Sequence, residues 1–239
     1  MSASSDPRLL IATATRALAV AGLFDHNGHI SVRDGDHIWI NSRQASRIGA
    51  RPEDVAHVRI ADGHWSDLEP PSETALHLAA YRARPDVGSA SHFHPLYATA
   101  FAVAGRPLVT AYCAGSVFGS AVPVFDDPDL IRSDDQGRDL VAVWGSHDAV
   151  LLRGHGVAVV GTDVPDCARA AVFLEESARR LAVTVPLGEP RAFTAEEVRR
   201  VRETLMRRSV VLKTWTDLLE RARRAGALSD LPPLPPSGA

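Results

Sequence analysis

Apolar residues between positions 9 and 24 recur at helical spacing behind Asp6-Pro7, a capping residue followed by a proline at the first helical position. A helix ending near Gly22 is predicted. Segments 29–32 and 37–40 alternate with period two around Asp34-Gly35, the turn chemistry of a β-hairpin. A further strand is predicted over 55–60. Ser72 caps a segment, 73–84, in which Leu76, Ala79 and Ala80 repeat at helical spacing until Pro85 stops it. Segment 88–94 alternates as a strand, 97–103 reads as a helix, 108–112 as extended and 137–144 as a helix. Segment 150–160 is apolar except at Gly154-His155-Gly156, which divides it into two strands or bends one sharply. Two long amphipathic helices follow, 165–183 and 195–225, with arginines on the polar face.

Strands therefore dominate the middle of the chain and helices surround them, the pattern of an α/β domain with a mixed or antiparallel sheet. The chain has 239 residues, enough for one substantial core and short for two, and neither a repeat nor a linker divides it. We expect a single domain over 1–228 and a loose proline-rich tail over 229–239. Hydrophobic and charged fractions of 45% and 23% are those of a globular protein, not of a disordered or fibrous one. The balance of 26 basic against 29 acidic side chains leaves a net charge of -3, so no overall field recruits nucleic acid or an anionic membrane. No apolar run reaches the roughly 18 to 20 residues that cross a bilayer. Arg16 interrupts the first apolar stretch, which reads as a helix and not a signal peptide. Cys113 and Cys167 can form at most one disulfide, which points to cytoplasmic thiols.

Lys213 is the only lysine, placed in a charged, helix-like segment, so Schiff-base and pyridoxal chemistry lack their desolvated amine. A metal is the better electron sink. In Ser91-His92-Phe93-His94, strand alternation puts both imidazoles on one face with Cα atoms roughly 6.5 Å apart, close enough to share a cation. Such a pair by itself also suits two surface histidines. His155, between two glycines that let the backbone approach closely, is the strongest third ligand. Glu73, where the helix dipole favours a carboxylate, can ligate a metal or move a proton. His77, one turn on, is expected to be packed or hydrogen-bonded. Nucleophile elbow, dinucleotide fingerprint and phosphate loop are all missing from the sequence.

Gly28-His29-Ile30-Ser31-Val32-Arg33, then Pro71-Ser72-Glu73 with His77 and Tyr81, then Arg84-Pro85-Asp86-Val87 leading to His92-Phe93-His94, then Leu152-Arg153-Gly154-His155-Gly156, resemble the successive signatures of the class II aldolase/adducin family over about residues 8 to 185. The resemblance implies a three-layer α/β/α fold with a central, mainly antiparallel sheet. It implies a zinc or manganese ion held by His92, His94 and His155, with Glu73 beside it as acid/base. Tyr112 falls where the family's aldolases have a tyrosine, supplied by a neighbouring subunit, that protonates the departing aldehyde. Homotetramers with sites at subunit interfaces, acting on small-molecule substrates, are also implied.

The sequence departs from the sugar-phosphate aldolases of that family where they cradle phosphate. Pro71 replaces a serine, losing a hydroxyl and an amide hydrogen, and the loop after the hairpin carries Arg43 and Arg47, whose fork-shaped donors suit a carboxylate. Ser72 and His29 complete the expected substrate wall, with His26 nearby. The Gly-His-Ile-Ser-Val-Arg signature is similar to that of the family's aromatic-acid decarboxylases, which act on dihydroxyphthalates. A metal-dependent decarboxylase of a non-phosphorylated hydroxylated acid is therefore the leading expectation. Aldol cleavage of a ketose phosphate or 2-keto-hydroxy acid is the alternative, and a non-catalytic adducin-like module the third reading.

Overall fold

A computed structural model describes residues 6–65 and 67–235 of the chain. The first five residues of the expected domain and the last four of the expected tail lie outside the described residues. Helix α1 (Pro7–Val20) starts where the Asp6 carboxylate accepts from the Arg8 amide, with proline at its first position. The hairpin forms as β1 (His29–Asp34) and β2 (His37–Asn41), turned by Gly35 at φ 57°, and β3 (Val55–Arg59) follows. Then come α2 (Thr74–Ala83), β4 (Ser89–Phe93), α3 (Leu96–Val103) and β5 (Leu108–Val109). The rest of the chain supplies β6 (Ala121–Val122), β7 (Val124–Phe125), α4 (Asp134–Trp144), β8 (Ala149–Leu152), β9 (Gly156–Gly161), α5 (Val164–Thr184), α6 (Ala195–Leu205) and α7 (Arg208–Arg224).

Seven strands form one sheet in the order β3-β2-β1-β4-β9-β8-β7, and among the described residues only β7 and β8 pair in parallel. Period-two alternation distributes the central strands between two cores. Ala149, Leu151, Val157 and Val159 face α1, α3, α5 and α7, whereas Val150, Leu152, Ala158 and Val160 face α2 and α4. The expected three layers and mainly antiparallel sheet are thus present. Each large apolar side chain withdrawn from water contributes about 1.5–3 kcal/mol, so these two faces hold the fold.

Several boundaries differ from the sequence expectation. Ser72 does not cap α2: Thr74 turns its amide and hydroxyl back to the Pro71 carbonyl (3.0 and 2.6 Å), and Glu73 takes the cap position without a side-chain cap bond. α4 begins at Asp134 instead of 137 because Ser133 and Gln136 cap each other reciprocally. The extended segment expected over 108–112 shortens to two residues, and a 3₁₀ turn, Cys113–Phe118, follows. The helix expected over 195–225 is two helices, since Arg207 is extended (φ -62°, ψ 137°). There the chain leaves the 3₁₀ turn that α6 covers and redirects α7 onto α1 and α5.

Two residues of the expected tail, Asp230 and Leu234, contact the domain. The buried Arg16 guanidinium pairs with Asp230, donates to Ala227 O (3.0 Å) and Ala50 O (2.7 Å), and Leu234 packs on the core. Both cysteines are free thiols, Cys113 exposed and Cys167 buried. Lys213 is exposed on α7, as expected of a solvated helix position. No described helix is long and apolar enough to cross a membrane.

Candidate active site and metal centre

Two periodicities assemble the site. β1 and β4 run antiparallel with His29 opposite His92 and Ser31 opposite Ala90, so the odd-numbered side chains of β1 and the even-numbered ones of β4 share the face covered by α2. Across that face α2 lays Glu73, His77 and Tyr81, four residues apart and therefore in one stripe. His94 lies one residue past β4, and His155 sits in the turn between β8 and β9, where Gly154 takes φ 67°.

One donor atom from each of His92, His94 and His155 lies within 4.8 Å of the others. The fully buried His92 donates from Nδ1 to the Val157 carbonyl at 2.9 Å, which leaves a lone pair on Nε2. That nitrogen has no hydrogen-bond partner among the described residues and stands 3.5 Å from Glu73 Oε2. A buried acceptor in this state costs about 1–3 kcal/mol unless something takes its lone pair. His94 is oriented by its Nδ1 contact with the Asp25 carboxylate (3.1 Å), the carboxylate–histidine arrangement that fixes a metal-ligating tautomer. Burial, then the neighbouring His92, lower the His94 pKa and keep its ring neutral. Asp25 is held by the amides of Asn27 (2.9 Å) and Gly28 (3.0 Å). Three imidazoles beside a carboxylate are the donor set of a divalent transition metal.

Glu73 accepts the Ile131 amide on Oε1 (3.2 Å) and turns Oε2 to His92 and His155, each 3.5 Å away. Burial raises its pKa, and the two imidazoles outweigh that and hold it below the ordinary carboxylate value. Glu73 is thus held rigidly with one oxygen turned to the imidazole cluster.

The glycine after His155 is a steric requirement. A Cβ on Gly156 would stand 2.6 Å from His94 Cδ2, 2.6 Å from Phe93 O and 3.3 Å from His92 Cε1. Gly156→Ala is therefore expected to push two imidazoles off their positions and weaken binding of a divalent metal by at least about 10-fold, the scale of lost ligand orientation. Competition titration against a chromophoric chelator measures it, and parental affinity would mean that the imidazole positions tolerate the shift.

A cavity of about 460 Å³ opens over the cluster, lined by His29, Glu73, His94 and His155 together with Arg43 and Ser72. Pro71, Asn27, Asp25, Leu130 and Arg47 close its walls. Arg43 is exposed and pairs with Glu69 at 2.7 Å. Arg47 is buried and spends Nε on Gly28 O and Nη1 on Ala45 O, so no complete fork remains for bidentate recognition of a carboxylate. It braces the loop and offers the cavity only Nη2. His26 is exposed against Asn27 and stays outside the cavity wall.

Tyr112 is not at this cavity within the chain. It lines another of about 650 Å³, with the Arg180 guanidinium 4.1 Å over its ring. Asp25, Leu130 and Ile131 were missed from sequence. Asp25-His26-Asn27-Gly28 carries a turn signal that flags Asp25, whereas nothing local ties Ile131 to Glu73.

Behind the metal-side imidazoles runs a buried polar chain. His29 Nδ1 lies 2.8 Å from His77 Nε2, His77 Nδ1 2.7 Å from Ser31 Oγ, and Ser31 Oγ 2.9 Å from the Tyr81 hydroxyl. Burial, then the charge of neighbouring histidines, pull His29 well below its ordinary pKa and His77 down to about 3. Burial likewise pushes the Tyr81 phenol up. His77 is thus hydrogen-bonded in the interior, as its sequence context suggests. Glu73 and His92 form a second group with His29, one donor atom each within 4.8 Å. Arg33 closes the motif by donating to the carbonyls of Tyr81 (2.7 Å) and Arg84 (3.2 Å) at the end of α2.

Residues 10–182 match the family model of the class II aldolase and adducin N-terminal domain. A 3,4-dihydroxyphthalate decarboxylase of Rhodococcus jostii is 34% identical over 197 residues, covering 76% of this chain and 81% of that protein. A 5-methylthioribulose-1-phosphate/5-deoxyribulose-1-phosphate aldolase of Rhodospirillum rubrum is 28% identical over 177 residues, covering 74% and 80%. Among solved structures, an L-fuculose 1-phosphate aldolase from Glaciozyma antarctica superposes with a TM-score of 0.80 at 18% identity, covering 94% of this chain and 90% of that one.

Proposed function

The chain belongs to the class II aldolase and adducin family, and from that premise we propose that it is a metal-dependent carbon–carbon lyase that decarboxylates a non-phosphorylated, hydroxylated aromatic acid such as a dihydroxyphthalate. The observation that carries the reading is the convergence of His92, His94 and His155 beside an ionised Glu73, with the His92 Nε2 lone pair buried and unclaimed. Relatives named decarboxylases, aldolases and a dehydratase support a lyase, and three similar proteins named 3,4-dihydroxyphthalate decarboxylases favour loss of carbon dioxide.

His92, His94 and His155 would hold zinc or manganese. A divalent cation there supplies a Lewis acid for the negative charge that appears on a substrate oxygen as the bond breaks. Glu73 takes the proton of the substrate hydroxyl and returns it to the ring carbon as carbon dioxide leaves. The electron pair of the broken bond becomes the new C–H bond, and the substrate oxygen keeps the negative charge. Arg43 exchanges Glu69 for a substrate carboxylate at the mouth of the cavity, with Ser72 and Arg47 Nη2 alongside. Pro71 has no amide hydrogen for a phosphate there. Tyr112, in a separate cavity of the same chain, has no step in this reading and serves a neighbouring copy in the aldol alternative.

Carbon NMR of products from hydroxylated aromatic dicarboxylates, 2-keto-hydroxy acids and ketose phosphates, with metal-loaded and chelator-treated protein, tests the proposal. Metal-dependent bicarbonate from the aromatic acids is the expected result. Aldehyde from a ketose phosphate would overturn decarboxylation in favour of aldol cleavage and bring Tyr112 into the mechanism. No turnover of any class would return the chain to a binding module. Arg43→Ala is expected to raise KM about 10-fold with metal content unchanged, the worth of one charge-assisted contact that must first displace Glu69. An unchanged KM would remove Arg43 from the substrate wall.

A further inference from the structure

The buried chain His29–His77–Ser31–Tyr81 has a direction, and it is dictated from its closed end. Tyr81 is 2% exposed, and among the described residues its hydroxyl hydrogen meets one acceptor, Ser31 Oγ. An undirected buried O–H costs about 1–3 kcal/mol, so Tyr81 donates to Ser31. The Ser31 hydrogen then has two acceptors, His77 Nδ1 at 2.7 Å and Ala90 O at 3.4 Å. The shorter contact takes it. His77 is fully buried and neutral, so a Nδ1 that accepts requires a proton on Nε2, which donates to His29 Nδ1 at 2.8 Å. His29 accepts there and therefore carries its own proton on Nε2, the nitrogen left for the cavity it lines.

We infer that Tyr81, Ser31 and His77 hold His29 as the neutral Nε2–H tautomer, which bars it from the metal's ligand set and makes it the donor that orients an anionic substrate oxygen, a carboxylate or phenolate, beside Glu73. A ligand needs a lone pair, and this relay places a hydrogen where the lone pair would be. The group His29, Glu73 and His92 is accordingly not a second metal site, although its donor atoms are as close together as those of His92, His94 and His155. His77, Ser31 and Tyr81 are positioning residues acting through His29. The tautomer and the metal exclusion stand on geometry alone, whereas the substrate role rests on the lyase reading.

The proton positions are read directly in zinc-loaded protein labelled with ¹⁵N-histidine, from the scalar coupling across the His77–His29 hydrogen bond. The expected spectrum has the bridging proton on His77 Nε2 and a separate proton on His29 Nε2. A bridging proton on His29 Nδ1 reverses the chain and overturns the inference, whatever the activity. His29→Ala should keep its full zinc content, and zinc loss with the fold intact by circular dichroism would make His29 a ligand. Tyr81→Phe removes the hydroxyl that commits Ser31, so a mixture of tautomers is expected, with KM raised several-fold and zinc retained. Unchanged proton positions in that variant would mean that Tyr81 does not set the direction. If the protons lie as expected but no substrate class on the panel is turned over, the lyase reading fails and the relay stands.

Discussion

His92→Ala is expected to empty the metal site, with the bound ion falling from full occupancy in the parent to background by mass-spectrometric metal analysis. The ring is fully buried, its Nδ1 is tied to Val157 O and its Nε2 lone pair has no partner among the described protein groups. Loss of groups that merely orient ligands weakens metal binding by about 10–100-fold, and loss of one of three protein ligands exceeds that. Binding to the native state alone also stabilises it, so a chelator should lower the Tm of the parent and leave that of the variant unmoved. A variant that retained its metal would show that His92 is a buried structural histidine, and the lyase reading would lose its foundation.

The second large effect is expected from Glu73→Gln. Glutamine preserves the length and the acceptor for the Ile131 amide but cannot cycle a proton, so kcat should fall by roughly 10²–10⁴ while metal content and KM stay near the parent's. Because its pKa lies below the ordinary carboxylate value, Glu73 starts the cycle as a base. Loss of the metal in this variant would instead make Glu73 a ligand. A parental kcat would send the proton to another group, for which His29 is the nearest candidate on the cavity wall.

The parts of this molecule that follow local rules were legible in the chain. Asp6-Pro7 announces α1, Asp34-Gly35 the hairpin, Pro85 the end of α2, and Gly154-His155-Gly156 the break between β8 and β9. His92 and His94 declare themselves by strand spacing, and Gly156 by flanking His155. Elements of two residues, such as β6 and β7, carry no period to detect, and the division of α6 from α7 comes from the different surfaces they cover.

What sequence alone determined is the set of chemical groups and their local phase: which imidazoles share a strand face, which carboxylate and histidine share a helix stripe, and which glycines allow close approach. Tertiary structure decided their partners. Only the register that sets His29 opposite His92, and the phase in which α2 crosses β1, bring His77 between His29 and Ser31, give Glu73 the Ile131 amide and turn Arg47 into a brace for its own loop. The reason is physical. Periodicity is a property of neighbouring residues, whereas register between segments some sixty residues apart is set by which apolar faces of the whole sheet are buried together.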